Sequence, residues 1–274
     1  MSGLDVTALR RCVLAVSVLG DVDAVPSDDG IVAGAARVPW SDVADTVGPD
    51  DPMSTAARRR VERLLRLHAL VADARDWRSA GDLLSRAARL VALPKGHADH
   101  LGPGWAEDRL LGGALDVGIA VIGLAGGDPD EVAPLPPSVA RAVALPRGVL
   151  WEHVLGHAEA MGRLAVTRLR RDGLIGSGVV RPVGGCDVLA LLASPSLRGW
   201  LAAGDGTGMR AVAAPMRNRG WFDLIHIDPA FVGPAWMATQ ENLRGVSCPL
   251  LVTRDEVGLA RRGAAAADLT FRAR

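Results

Sequence analysis

The sequence has no tyrosine, only three phenylalanines and a single lysine, Lys95, among 31 basic residues. With seven tryptophans as the remaining aromatics, the core has to be assembled mainly from alanine, valine and leucine. Schiff-base chemistry would fall to Lys95 alone. The matching excess of arginine is what a GC-rich genome gives, so it does not by itself point to nucleic acid. Net charge is zero, which removes a global attraction to polyanions. The charge is uneven, however: residues 1–125 carry 14 basic and 17 acidic groups, and residues 138–274 carry 17 and 11. Only a modest basic surface on the second half is expected.

Cysteine is equally sparse. Cys12, Cys186 and Cys248 are far apart, odd in number and free of any CxxC spacing. That excludes a disulfide framework and a thiolate zinc site, and it fits a reducing cytoplasm. Asp5 lies early, and no Ala-x-Ala site follows a long apolar run, so no secretory leader is expected. The one membrane-like stretch, Leu110 to Gly127, is broken by Asp116. Leu115, Val117, Ile119 and Val121 alternate there with Asp116, Gly118 and Ala120, the period of a strand. A buried strand is expected, and no membrane partner.

The remaining sequence supports an α+β protein. Residues 4–19 read as a helix ending near Gly20, followed by an acidic loop from Asp21 to Gly30. Arg37 to Trp40 suits an edge strand, because proline cannot serve a central one. Ser41 is placed to cap a short helix that stops at Gly48. Ser54 is placed to cap a longer helix over 55–75, with Ala57, Val61, Leu64, Leu65, His68, Val71 and Ala72 on its apolar face. Arg58, Arg59, Glu62, Arg63 and Arg66 are then expected in solvent. Residues 79–87 continue helical and Leu90–Leu93 turns extended. Gly126 to Pro137 holds two glycines, four prolines and three acids, the composition of a connector. It separates a helix-rich lobe, 1–125, from a lobe of helices packed on a mainly antiparallel sheet, 138–274. In the second lobe Leu150–Arg171 reads as one helix with Val154, His157, Met161 and Leu164 on a stripe. Cys186–Ala203 reads as two helical segments split by Pro195. Strands are expected at 179–183, 209–216, 221–228, 249–254 and 269–272, with a bulged hairpin turning at Arg217-Asn218-Arg219-Gly220.

Several stretches invite chemistry. Gly204-Asp205-Gly206-Thr207-Gly208 resembles the glycine loop of class I methyltransferases, and Asp228-Pro229-Ala230-Phe231 resembles their catalytic strand end. A nucleotide loop needs a strand before it and a helix after it, and here the order is reversed. The interval to Asp223 is also too short for a crossover unit of about 30 residues. Gly245-Val246-Ser247-Cys248-Pro249 nearly spells a nucleophile elbow, but proline replaces the last glycine and a strand follows. No P-loop is present.

Three constellations remain. His153 and His157 lie one turn apart on a helix, and His97 and His100 share a loop, so zinc or iron is the one cofactor these residues could hold. Asp223, His226 and Asp228 interrupt an otherwise apolar strand, where polar groups need a partner or a substrate. Arg163, Arg168, Arg170 and Arg171 suit DNA phosphates if their helix is a recognition helix. The ordinary alternatives are a hydrogen-bonded core histidine, a structural ion pair and a solvated helix face.

His100-x-Gly102-Pro103-Gly104-Trp105, Leu111 to Asp116, Gly185-Cys186-Asp187-Val188 and the stretch from Gly204 to Pro229 together resemble uncharacterised proteins common in actinobacteria. That resemblance implies a cytosolic protein and transfers no catalytic residue. The functional expectation is a binding or regulatory protein, with a protein partner or a second copy as the further candidates for what it meets. Its alternative is a metal protein or hydrolase-type enzyme using His153/His157 or His226/Asp228.

Overall fold

The computed structural model describes residues 5–74, 77–101, 105–106, 115–123, 132–144, 146–172, 178–204, 206–222 and 229–260. The first helix, α1 (Val6–Gly20), begins where the Asp5 carboxylate accepts the Ala8 N–H at 3.1 Å. Leu9, Cys12, Val13 and Val16 form its buried face. The expected acidic loop instead contains a strand, β1 (Ala24–Pro26), in an antiparallel meander with β2 (Gly30–Ala33) and β3 (Ala36–Pro39). As expected, the proline-bearing β3 lies at an edge.

The next helix, α2 (Trp40–Val47), follows Pro39 directly, so Ser41 is not its cap and no side chain caps it. Gly48 ends it at φ 62°, a left-handed geometry that glycine adopts without strain. Ser54 does cap α3 (Thr55–Ala72), accepting the Ala57 N–H at 3.2 Å. Its apolar face is the expected one, except that Arg60 and Arg63 are buried beside Val61, Leu64 and Leu65. A charged side chain inside the core requires partners, and both arginines have them.

After α4 (Trp77–Ala87) come β4 (Ala88–Pro94) and β5 (Leu115–Ile122), paired over seven residues. Both strands are buried on nearly every residue, which explains the near-continuous apolar run of β5. Gly118 is required here: a Cβ would lie 2.4 Å from the Trp105 ring, which seals that side of the sheet. The third strand is β6 (Val132–Pro134), so the end of the expected connector is part of this sheet.

The second half opens with α5 (Pro137–Ala142) and the 26-residue α6 (Arg147–Asp172). The buried stripe of α6 is Leu150, Val154, Ala158, Ala165, Val166 and Leu169; it includes Val154 of the expected stripe, and Met161 packs partly buried against the core. Leu164 is exposed and His157 sits at the margin. β7 (Val179–Val180), α7 (Val188–Leu191) and α8 (Pro195–Ala203) follow, with Asp187 and Ser194 capping the two short helices. The closing sheet has the order β11–β10–β8–β9–β7, from β8 (Met209–Met216), β9 (Arg219–Trp221), β10 (Leu250–Thr253) and β11 (Val257–Leu259). The β8–β9 hairpin is bulged as expected, but Arg217 and Asn218 alone form its turn. A further helix, α9 (Val232–Ala238), packs on β8.

One contiguous core runs from Leu9 in α1 to Val257 in β11, so both halves of the chain contribute to it. No helix among the described residues is long and apolar enough to cross a membrane.

Candidate functional site

The termini of several of these elements meet around a cleft of about 1120 Å³. Its walls come from α2 and the loop after it, the loop after β4, the start of α5, Arg147 at the start of α6, and the stretch from Trp236 to Gly245. Buried arginine fastens these walls together. Arg60 donates to the Thr46 and Val47 carbonyls, each at 2.9 Å, and so satisfies the C-terminal end of α2. It also donates to the Ala98 carbonyl and pairs with Asp50. Arg63 pairs with Asp99 at 2.8 Å, and Asp99 is only 2% exposed. The loop carrying Lys95 to His100 is thereby tied to α3.

His97 occupies the middle of that loop and is 9% exposed. Its Nδ1 accepts the Asp99 N–H at 3.1 Å. Nε2 has the Arg244 backbone beside it but makes no hydrogen bond of good geometry. Burial pushes the imidazole down to about 4, helped by the Arg217 charge and opposed by Asp99 and Asp187. Arg217 and Asp187 are themselves a buried pair at 2.6 Å, so His97 lies between two ion pairs, one from each half of the chain. His100 bonds Asp116 through Nε2 at 2.9 Å and meets the Trp105 ring edge-on at 5.2 Å. Both histidines of this loop are therefore held by protein groups.

The opposite end of the expected metal set is elsewhere. His157 donates from Nε2 to the Gly184 carbonyl at 2.9 Å, and His153 is exposed one turn earlier on α6. Among the described residues no three His, Cys, Asp or Glu side chains are placed to hold a metal ion. The two histidine pairs do not converge.

Arg163, Arg168, Arg170 and Arg171 are exposed on α6, with Arg163 at 4.0 Å from Glu159. They belong to one continuous helix, without the turn that sets off a recognition helix. Asp223, His226 and Asp228 lie outside the described residues. Ser247 is exposed and precedes β10 rather than a helix, so it is not a nucleophile elbow. The Gly204 stretch likewise runs from α8 into β8, the reverse of a nucleotide loop. Burial raises the thiols of Cys12, to about 11, and Cys186, to about 12, which leaves both unreactive.

One arrangement was not expected. His68 on α3, 6% exposed, has its Nε2 3.4 Å from the hydroxyl of Ser138 on α5. Burial lowers its pKa, while the Asp42 carboxylate on α2 acts in the opposite direction. Ser138 and Asp42 both line the cleft. The sequence placed His68 correctly on the buried face of α3, but its partner is 70 residues away and no local spacing announces it.

Of the charges around the cleft, Asp50 is paired with Arg60, Asp51 accepts the Met53 N–H, and Glu241 lies 3.9 Å from Arg244. Among the described residues Lys95 and Arg141 have no ion-pair partner. Asp45, Asp50, Asp51 and Glu241 are exposed acids on the same cleft, and Asp42 is half-buried there. Comparison of the chain with protein-family models, with curated proteins and with solved structures finds no match.

Proposed function

We propose that the protein is a cytoplasmic binding protein, and that the cleft receives a small organic anion of the carboxylate class. The observation that carries this reading is the cleft itself. It has the volume of a small-molecule site. Its walls are cross-fastened by Arg60 and by the Arg63–Asp99 pair, so little ordering is left for a ligand to impose. Lys95 and Arg141 then supply positive charge that the protein has not already neutralised.

Thermal unfolding of the full chain with acetate, butyrate, succinate or inorganic phosphate tests it. At about 100 times its dissociation constant, a bound carboxylate stabilises the fold by about 2.7 kcal/mol, a rise of a few degrees in midpoint. Arg141→Glu should abolish the rise without altering the circular dichroism. A midpoint indifferent to every carboxylate would remove the proposal.

A further inference from the structure

We infer that Ser138, which lines the cleft, and the buried His68 beside it form a nucleophile–base pair and that the protein hydrolyses small carboxylic esters in the cleft. The inference rests on the cleft being a ligand site. It adds that the carboxylate bound there is a reaction product.

Four features of the pair support it. First, the geometry is that of a nucleophile and its base: Ser138 Oγ lies 3.4 Å from His68 Nε2, the looser end of the range such pairs show before substrate tightens them. Second, the Ser138 hydroxyl has no helix-capping duty. The cap position of α5 is Pro136, and the Val139 N–H is satisfied by the Pro136 carbonyl at 3.1 Å. Third, His68 is held neutral by burial, the state in which an imidazole can accept a proton, with the Asp42 charge acting on it from α2. Fourth, Ser138 and Asp42 both face the cleft, and Arg141, one turn beyond Ser138 on α5, lines it too. α3, which carries His68, packs against both α2 and α5, the helices that carry Asp42 and Ser138.

The reaction balances with water as its only co-reactant. The Ser138 Oγ–carbon bond forms at the ester carbonyl as His68 Nε2 takes the hydroxyl proton. The carbon–oxygen bond to the alcohol then breaks, and the alcohol leaves with that proton. Water adds to the acyl-serine while His68 takes a proton from it, the Oγ–carbon bond breaks, and the proton returns to Ser138. The products are one alcohol and one carboxylic acid. Arg141 offers positive charge on the wall where the carbonyl oxygen gains its negative charge.

The experiment is labelling of the full chain with a fluorophosphonate, with the modified residue located by peptide mass spectrometry, beside the rate of p-nitrophenyl acetate hydrolysis. The expected result is a label on Ser138 and a rate that falls about 100-fold or more in Ser138→Ala. His68→Gln should fall similarly. Because His68 is buried and its replacement risks the fold, the label site and the Ser138 variant decide. Asp42 is a positioning residue: Asp42→Asn should shift the acid limb of the pH–rate profile to lower pH while the label stays on Ser138. No label on Ser138, or a rate unchanged in Ser138→Ala, overturns the inference. If butyrate still raises the unfolding midpoint in that case, only the hydrolysis falls. If butyrate has no effect either, the cleft is not the ligand site and both readings fall.

Discussion

His68 and His97 are both buried and both pushed towards neutrality by desolvation; His97 lines the cleft, and His68 touches it through Ser138. Their surroundings differ in kind. His97 is enclosed by two ion pairs, Arg63–Asp99 and Arg217–Asp187, and its Nδ1 is occupied by a backbone N–H. It lies between ion pairs from the two halves of the chain, and among the described residues no hydroxyl is hydrogen-bonded to its ring. His68 instead has a hydroxyl at its Nε2 and a single carboxylate acting on it. Burial alone therefore does not mark a histidine as functional. What separates the two is the partner: charge already balanced at His97, and a transferable proton at His68.

The contrast breaks most severely at Asp99. Asp99→Ala removes the carboxylate that pairs with the buried Arg63 guanidinium at 2.8 Å, a change that should cost up to about 3–5 kcal/mol. Urea denaturation should show that loss, and Arg63→Met in the same background should recover part of it. A recovery of nothing would mean that Asp99 acts through the loop backbone rather than through charge.

The next effect is set by pH. The His97 pKa is lowered from 6.5 to about 4, so the folded state favours the neutral ring. Its contribution is fully present above pH 6.5 and disappears as the pH falls towards about 4. Linkage puts the loss at up to about 3 kcal/mol. Unfolding free energy measured across that window should decline less steeply in His97→Gln than in the parent protein.

The smallest expected change in stability belongs to Ser138→Ala. The hydroxyl makes one long hydrogen bond at a half-buried site, so its removal should cost no more than about 1 kcal/mol. A loss several times larger, measured by the same denaturation, would assign Ser138 a structural duty and reverse its contrast with Asp99.

Local signals were the readable ones. The Ser54 cap, the Gly48 stop, the split at Pro195 and the buried strand β5 follow from neighbouring residues, and the structure has all four. The helix stripe of α3 was also legible, because apolar spacing needs no knowledge of the rest of the fold. Arg63 was not. On a helix surface its neighbours Arg59, Glu62 and Arg66 read as a solvated face, and its buried partner Asp99 is 36 residues away. Ser41 failed as a cap because Pro39 fixes an extended backbone that runs directly into α2. The candidate site was the least legible part, since Asp42, His68 and Ser138 are ordinary residues until three helices bring them within reach of one another.

The arginines that close helix ends have a kinetic consequence. Arg60 reaches Ala98 across 38 residues, Arg66 reaches Gly20 across 46, and Arg198 reaches Arg254 across 56. Such ties reward the chain only after its long loops have closed, so they form late on the way to the native state. Their strength is then felt mainly as a slower escape from the folded state, not as a faster approach to it. Because guanidinium stays charged at every ordinary pH, that brake on unfolding persists under acid conditions in which the His97 contribution has already gone.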